Sequence, residues 1–122
     1  MYSKEKVLKI VEKNKQELSE LCEYIFDNPE KGFEEYKASA ALKNFLEKHG
    51  FTVEMGVAGL ETAFRAERRE GDGPTIGFLC EYDALPNGHS CGHNIIAASA
   101  VGAAVCLAEG LEKYNGNIVV LG

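Results

Sequence analysis

The stretch CEYDALPNGHSCGHN, Cys80 to Asn94, gathers two carboxylates, two imidazoles and two thiols into one connection of a 122-residue chain. Glu81 and Asp83 flank a single residue, and His89, Cys91 and His93 recur at every second position. In extended backbone alternate side chains share a face, so each set could aim its donors at one point. A divalent cation needs that convergence. Imidazole and thiolate suit a borderline-soft ion such as zinc. Gly92 gives the backbone freedom to turn both neighbours inward, and a helix starting just beyond it favours the thiolate form of Cys91. Glu81 and Asp83 could ligate directly or orient an imidazole from behind.

Three other readings use the same residues. GHSCG, Gly88 to Gly92, matches a nucleophile elbow with Ser90 as the serine. That elbow needs a strand running straight into the turn, whereas EYDALPN, with Pro86, intervenes, and no histidine follows His93. Cys91 with His93 or His89 could form a nucleophile and base, but residues two apart on one backbone rarely meet in hydrogen-bond geometry. A satisfied polar turn with no ligand is the plain alternative, since Cys-x-His is a common accident of spacing.

The flanking elements must hold this turn in place. Ser3 can cap a helix running to about Asp27, with Val7, Leu8, Val11, Leu18, Leu21, Cys22, Ile25 and Phe26 at helical spacing and Pro29 closing it. A second helix, roughly Glu34 to Lys48, presents Ala38, Ala41, Leu42, Phe45 and Leu46 on one face. His49 and Gly50 end it, His49 as a cation favoured by the helix dipole. FTVEM and TAFRAE read as strands joined by a Gly-containing turn, REGDGP as a loop and TIGFLC as a short buried strand. IIAASAVGAAVCLAEGLEKY reads as a helix apolar or small nearly all round, and NIVVLG as a last buried strand. Strands alternating with helices predict an α/β three-layer sandwich with a mixed, mostly parallel central sheet. The ligand-rich turn then falls at the carboxyl end of a strand, where open α/β sheets place their sites.

Composition narrows the partners. Thirteen Lys and Arg stand against 19 Asp and Glu, a formal charge of -6. That balance disfavours nucleic acid and anionic membranes, whose affinity comes from excess positive charge. The charged N-terminus lacks the apolar run of a signal peptide, and no segment approaches the roughly 20 apolar residues that span a bilayer, so a cytoplasmic protein is expected. Cys22, Cys80 and Cys106 lie in apolar runs and read as small buried thiols rather than a disulfide framework.

EYDALP followed by GHSCGHN and a small-residue helix resembles the aminoacylase and carboxypeptidase family of dinuclear metallo-amidohydrolases, in particular its aminobenzoyl-glutamate hydrolase and dipeptidase branch. NPEKGFEEYKAS is similar to that family's N-terminal helix junction, GFTVEMGVAGLETAF to its first hairpin and NIVVLG to the strand leading to its catalytic glutamates. The resemblance implies that Cys91 and His93 are metal ligands, the Cys91 thiolate being shared between two ions, and that Asp83 orients a ligand. Glu81 stands where other members carry Asp or His, and with His89 and Asn94 it takes an orienting or substrate-facing role. Asn94 replaces the Asp of many acylamino-acid hydrolases.

The implied fold is a zinc-exopeptidase-like sandwich of which residues 1–122 form the N-terminal, incomplete part of the catalytic domain. The general-base glutamate, further histidine ligands and a lid or dimerisation domain are expected beyond it. The implied activity is metal-dependent hydrolysis of an amide bond in an N-acyl amino acid, an aminobenzoyl-glutamate-like compound or a dipeptide. Two zinc ions are the implied cofactor, with manganese or cobalt as substitutes. A second copy or a complementing C-terminal half is the expected protein partner. On this reading the 122 residues alone bind zinc weakly and lack turnover. The alternative is a non-catalytic metal-binding or interaction module, with one structural ion held by Cys91, His93 and His89 or Cys80.

Overall fold

A computed structural model of the chain describes residues 3–110 and 114–122. Helix α1 spans Lys4–Asp27 and starts as the sequence requires, with the Ser3 hydroxyl accepting from the Lys6 amide at 3.4 Å. Helix α2, Tyr36–Lys48, begins two residues later than its apolar spacing suggested. Its cap comes from a distance: Glu30 accepts from the amides of Lys37 and Ala38, both at 2.9 Å. The carboxylate therefore satisfies two orphan donors that Glu35, at the cap position, leaves free.

Strands β1, Thr52–Met55, and β2, Phe64–Glu70, form an antiparallel hairpin. β3 is Thr75–Leu79 and β4 is Gly116–Leu121. The sheet order is β1-β2-β4-β3. It is mixed, as expected, but its parallel part is confined to β3–β4, because β2 meets β4 antiparallel. Between β3 and β4 lies helix α3, His93–Gly110. It starts two residues ahead of the expected run, which puts His93 itself in the first turn. Of the last expected residues of that helix, 111–113 lie outside the described ones, and Tyr114 is not helical.

One hydrophobic core joins all of these elements. Phe64 and Ala66 of β2 and Ile118 and Val120 of β4 meet Leu42, Phe45 and Leu46 of α2 and Val101, Ala104 and Val105 of α3, while α1 adds Leu21 and Ile25. The same strand faces that carry Phe64, Ala66, Ile118 and Val120 receive α2 and α3, so the helices lie on one side of the sheet. The other face carries Arg65, Glu67, Leu79 and Leu121 and bears no helix among the described residues. This is the incomplete sandwich the sequence implied.

Helix α3 is long and apolar enough to cross a bilayer by length and composition, contrary to the expectation that no segment approaches that. Its apolar surface is instead mostly buried against α1 and the sheet. Gly102 makes the α1 contact possible: a Cβ there would lie 3.0 Å from Leu18 Cδ1. The packing of α3 fixes the turn that leads into it.

Candidate metal centre

Burial alternates along the first half of the turn. Cys80, Tyr82 and Ala84 point inward, whereas Glu81 and Leu85 are exposed and Asp83 is half-buried. The anchor is Tyr82. Its ring stacks on Phe64 at 5.9 Å between centroids, and its hydroxyl donates to the Thr62 carbonyl. The Ala84 amide donates to the Glu30 carbonyl at 2.7 Å, which ties the turn to the junction between α1 and α2. With the even positions buried, Glu81 and Asp83 are thrown to the same side, as the extended spacing required.

Both carboxylates converge on His93. Its Nδ1 lies 2.7 Å from Asp83 Oδ1 and 3.0 Å from the Asp83 carbonyl oxygen. Two acceptors at one ring nitrogen make that nitrogen the donor, so the neutral ring carries a lone pair on Nε2. Glu81 Oε2 faces that lone pair at 3.2 Å. A lone pair opposite a carboxylate oxygen is stable only with a proton or a metal cation between them. An imidazole fixed from behind by a carboxylate, with its free nitrogen beside a second carboxylate, is a donor set that suits a divalent cation. The residues present therefore fit a metal, with Glu81 on the ligating side of the ring rather than behind it.

The second half of the turn departs from the extended pattern. The Gly92 amide donates to the His89 carbonyl at 3.2 Å, Gly92 has a φ of 74°, and His93 already opens α3. A turn followed by a helix has no two-residue periodicity, so His89, Cys91 and His93 do not share a face. Cys91 is exposed. His89 is buried, at 8 % exposure, and neither ring nitrogen makes a hydrogen bond. Burial pushes its pKa down, with the backbone of Ile25 and the Asp83 carboxylate only partly opposing. Among the described residues no three His, Cys, Asp or Glu side chains converge on one point that could hold a metal.

Two other residues are committed elsewhere. Asn94 is buried and its Nδ2 donates to Cys22 Sγ on α1 at 3.3 Å, which removes it from the substrate-facing role. Cys80 points into the core, Sγ to the Ala97 carbonyl at 3.8 Å, and burial pushes its thiol up to about 12. A thiol held neutral in that way is no structural clip for an ion.

Sequence reasoning missed the wall beside Glu81 and Asp83. A cavity of about 220 Å³ opens there, lined also by Phe33, Glu35, Leu60 and Thr62. Glu35 Oε1 is buried with no hydrogen-bond partner, and burial raises the Glu35 pKa, Asp83 and Glu30 adding to the effect. The one available signal was the acidic pair in GFEEY, which the helix pattern had claimed.

No family model matches the chain, whereas several curated proteins do. Over 121 residues the chain is 40 % identical to the Xaa-Arg dipeptidase of Mus musculus, covering 88 % of this chain and 28 % of that protein. One of the subunits of the p-aminobenzoyl-glutamate hydrolase of Escherichia coli K12 is 34 % identical over 86 % of this chain and 25 % of its own length. Thermostable carboxypeptidase 2 of Saccharolobus solfataricus is 31 % identical over 89 % of this chain and 33 % of its own length. The chain thus spans about a quarter to a third of these relatives. Among solved structures, a Bacillus subtilis dinuclear metal-binding peptidase of the M20 family superimposes with a TM-score of 0.73 at 25 % identity, over 88 % of this chain and 35 % of that one. A Staphylococcus aureus protein described as an aminohydrolase shares the fold, with a TM-score of 0.85 at 21 % identity over 98 % of this chain and 34 % of that one.

Proposed function

The chain belongs to the aminoacylase and carboxypeptidase family of metallo-amidohydrolases, and we propose that it supplies one part of the metal site for hydrolysis of an amide or peptide bond. The substrate class is an N-acyl amino acid, an aminobenzoyl-glutamate-like compound or a dipeptide, in keeping with the names of its relatives. Residues 1–122 correspond on this reading to the N-terminal part of a catalytic domain. His93 and Cys91 are the proposed ligands, Asp83 holds His93 in the tautomer that presents Nε2, and Glu81 is placed to share the ion. A divalent ion there, zinc or its substitutes manganese and cobalt, would polarise the scissile carbonyl and acidify a bound water.

The observation that carries the reading is the clamp on His93 by two carboxylates that also line a cavity, one on each nitrogen at 2.7 and 3.2 Å. Asp83 keeps the Nδ1 proton in place, and Glu81, which stands at Nε2, also lines the adjoining cavity from which an ion and a substrate would approach. With no third group converging among the described residues, the 122 residues alone bind the ion weakly and do not turn over substrate. The remaining ligands and the general base lie, on the same reading, outside residues 1–122.

Cobalt titration tests this directly. Co²⁺ added to the reduced chain is expected to give a thiolate-to-cobalt absorption band that disappears in Cys91→Ser and in His93→Ala. Binding that survives His93→Ala refutes the site. Binding that needs His93 but shows no thiolate band removes Cys91 from the ligand set and leaves Glu81 as its replacement.

A further inference from the structure

Asparagine is followed by glycine twice in the chain, at Asn87–Gly88 and at Asn115–Gly116. An asparagine amide is open to attack by the next backbone nitrogen when that residue is glycine, which has no side chain to hinder the approach. The fold treats the two pairs differently. Asn87 belongs to the turn Pro86-Asn87, which Leu85 and Gly88 close with two backbone hydrogen bonds, at 2.9 and 3.1 Å. Nothing lies within 4 Å of a Cβ built at Gly88. The Asn87 Oδ1 accepts from the Ser90 hydroxyl at 3.0 Å, and both residues are exposed.

Asn115 is held on both sides of the bond that would have to turn. Its Oδ1 accepts from the Gly73 amide at 3.0 Å, and Gly116 is buried as the first residue of β4, paired with Glu70. A Cβ at Gly116 would lie 2.5 Å from the Pro74 carbonyl oxygen, so the backbone there is closely packed. Bringing the Gly116 nitrogen onto the Asn115 side chain requires the end of β4 to leave the sheet. At Asn87 the same approach opens only a turn, because the Gly88 amide donates to Leu85, three residues away. Exposed local bonds of this kind open at the low end of a protein's stability range.

We propose that Asn87 is a site of spontaneous deamidation, assisted by Ser90, within the turn that carries Glu81, Asp83, Cys91 and His93. Solvent base takes the proton of the Gly88 amide, and the nitrogen attacks Asn87 Cγ. The Ser90 hydroxyl, donating to Oδ1, stabilises the negative charge that develops on that oxygen. The bond from the Gly88 nitrogen to Cγ forms, the Cγ–Nδ2 bond breaks, and ammonia leaves with a proton from water. Water then opens the cyclic imide. Cleavage of the new bond leaves aspartate at position 87. Cleavage of the original peptide bond to Gly88 leaves isoaspartate, with an extra methylene in the main chain. Either product adds a carboxylate to a turn that already holds Glu81 and Asp83. The reacting groups all lie within residues 85–90, so the step does not rest on the metal reading or on what packs against the sheet.

Peptide mapping by mass spectrometry tests this on the 122-residue chain held at mildly alkaline pH, both folded and in urea. In urea the two Asn-Gly pairs are expected to deamidate at similar rates. In the folded chain Asn87 is expected to react about tenfold faster than Asn115 or more, since the turn opens more readily than the end of β4, and to yield isoaspartate among its products. Ser90→Ala, at an exposed position, is expected to slow Asn87 about fivefold in the folded chain, the worth of one neutral hydrogen bond in a transition state. In urea the same variant is expected to match wild type, because the Ser90 contact is absent there. Folded protein in which Asn87 reacts no faster than Asn115 overturns the proposal. So does folded Ser90→Ala that loses the Asn87 amide at the wild-type rate.

Discussion

His49 and His93 each hold a carboxylate on both ring nitrogens, and at each the shorter distance, to Nδ1, is 2.7 Å. His49 ends α2, binds Glu109 of α3 through Nδ1 and lies 3.5 Å from Glu17 of α1 at Nε2, an ion-pair distance rather than a hydrogen bond. Its ring packs on Phe45 at 4.6 Å, its carbonyl accepts from Arg68 of β2 at 3.2 Å, and Lys48 shares Glu17. The partners of His49 come from three helices and a strand, so the group ties the fold together. The partners of His93 come from one turn, two residues apart, and beside them is a cavity. A carboxylate–imidazole–carboxylate arrangement is thus no sign of a metal by itself. What separates the two is whether the carboxylates join distant elements of the core or line an opening.

That difference sets the expected effects. The largest is on metal affinity: His93→Ala is expected to weaken cobalt or zinc binding by more than about 100-fold, the upper end of what loss of an orienting partner costs, while changing urea stability by less than about 0.5 kcal/mol. Asp83→Asn comes next, since the amide can no longer hold the Nδ1 proton in one tautomer. It is expected to lose about 10- to 100-fold in metal affinity with the unfolding midpoint unchanged. Calorimetric titration reads both, and equal losses of stability in the two variants would show that the clamp on His93 is structural.

His49→Ala is expected to invert the pattern, with no change in metal affinity and a loss of about 1–3 kcal/mol in urea unfolding. The loss stays below that of a fully buried pair because Glu109 and Glu17 are a quarter to a third exposed and water takes over part of their solvation. A variant that unfolds at wild-type denaturant would make His49 a surface residue in energetic terms, and the contrast with His93 would collapse.

Much of this was legible in the chain. Helix α1, the hairpin and β4 follow from apolar spacing because each buries one face or one run. β3 forms where expected but is exposed except at Phe78, so TIGFLC is not the buried strand its composition suggested. The pairing of Glu81 with Asp83 followed from alternation because Tyr82 is anchored in the core and the backbone there is extended. The same rule failed for His89, Cys91 and His93, where Gly92 turns the chain and α3 begins. The role of Glu30 as the cap of α2, the commitment of Asn94 to Cys22, and the three-helix grip of His49 rest on contacts between residues far apart in sequence. Local spacing carries no trace of such contacts. The parallel pairing was over-read for a related reason: the β2–β4 register joins strands separated by the whole of α3.

The smallest effect concerns Glu35, on the wall of the cavity that Glu81 and Asp83 also line. Burial holds its carboxyl above the ordinary value of 4.5, with Asp83 and Glu30 repelling the ionised form and backbone hydrogen bonds only partly offsetting this. The folded state therefore keeps the proton more tightly than the unfolded chain does. Stability from this group is fully present below the unfolded carboxylate range and is lost as pH rises through the higher folded value. Glu35→Gln cannot ionise, so it escapes that loss. In metal-free protein it is expected to raise the urea midpoint at pH 7 and to match wild type near pH 4. Added metal should shrink the difference at pH 7, because a cation beside Glu81 and Asp83 offsets the repulsion that Asp83 exerts on Glu35. A Glu35→Gln variant whose advantage is the same at both pH values, with and without metal, would trace the effect to packing alone and detach Glu35 from the site.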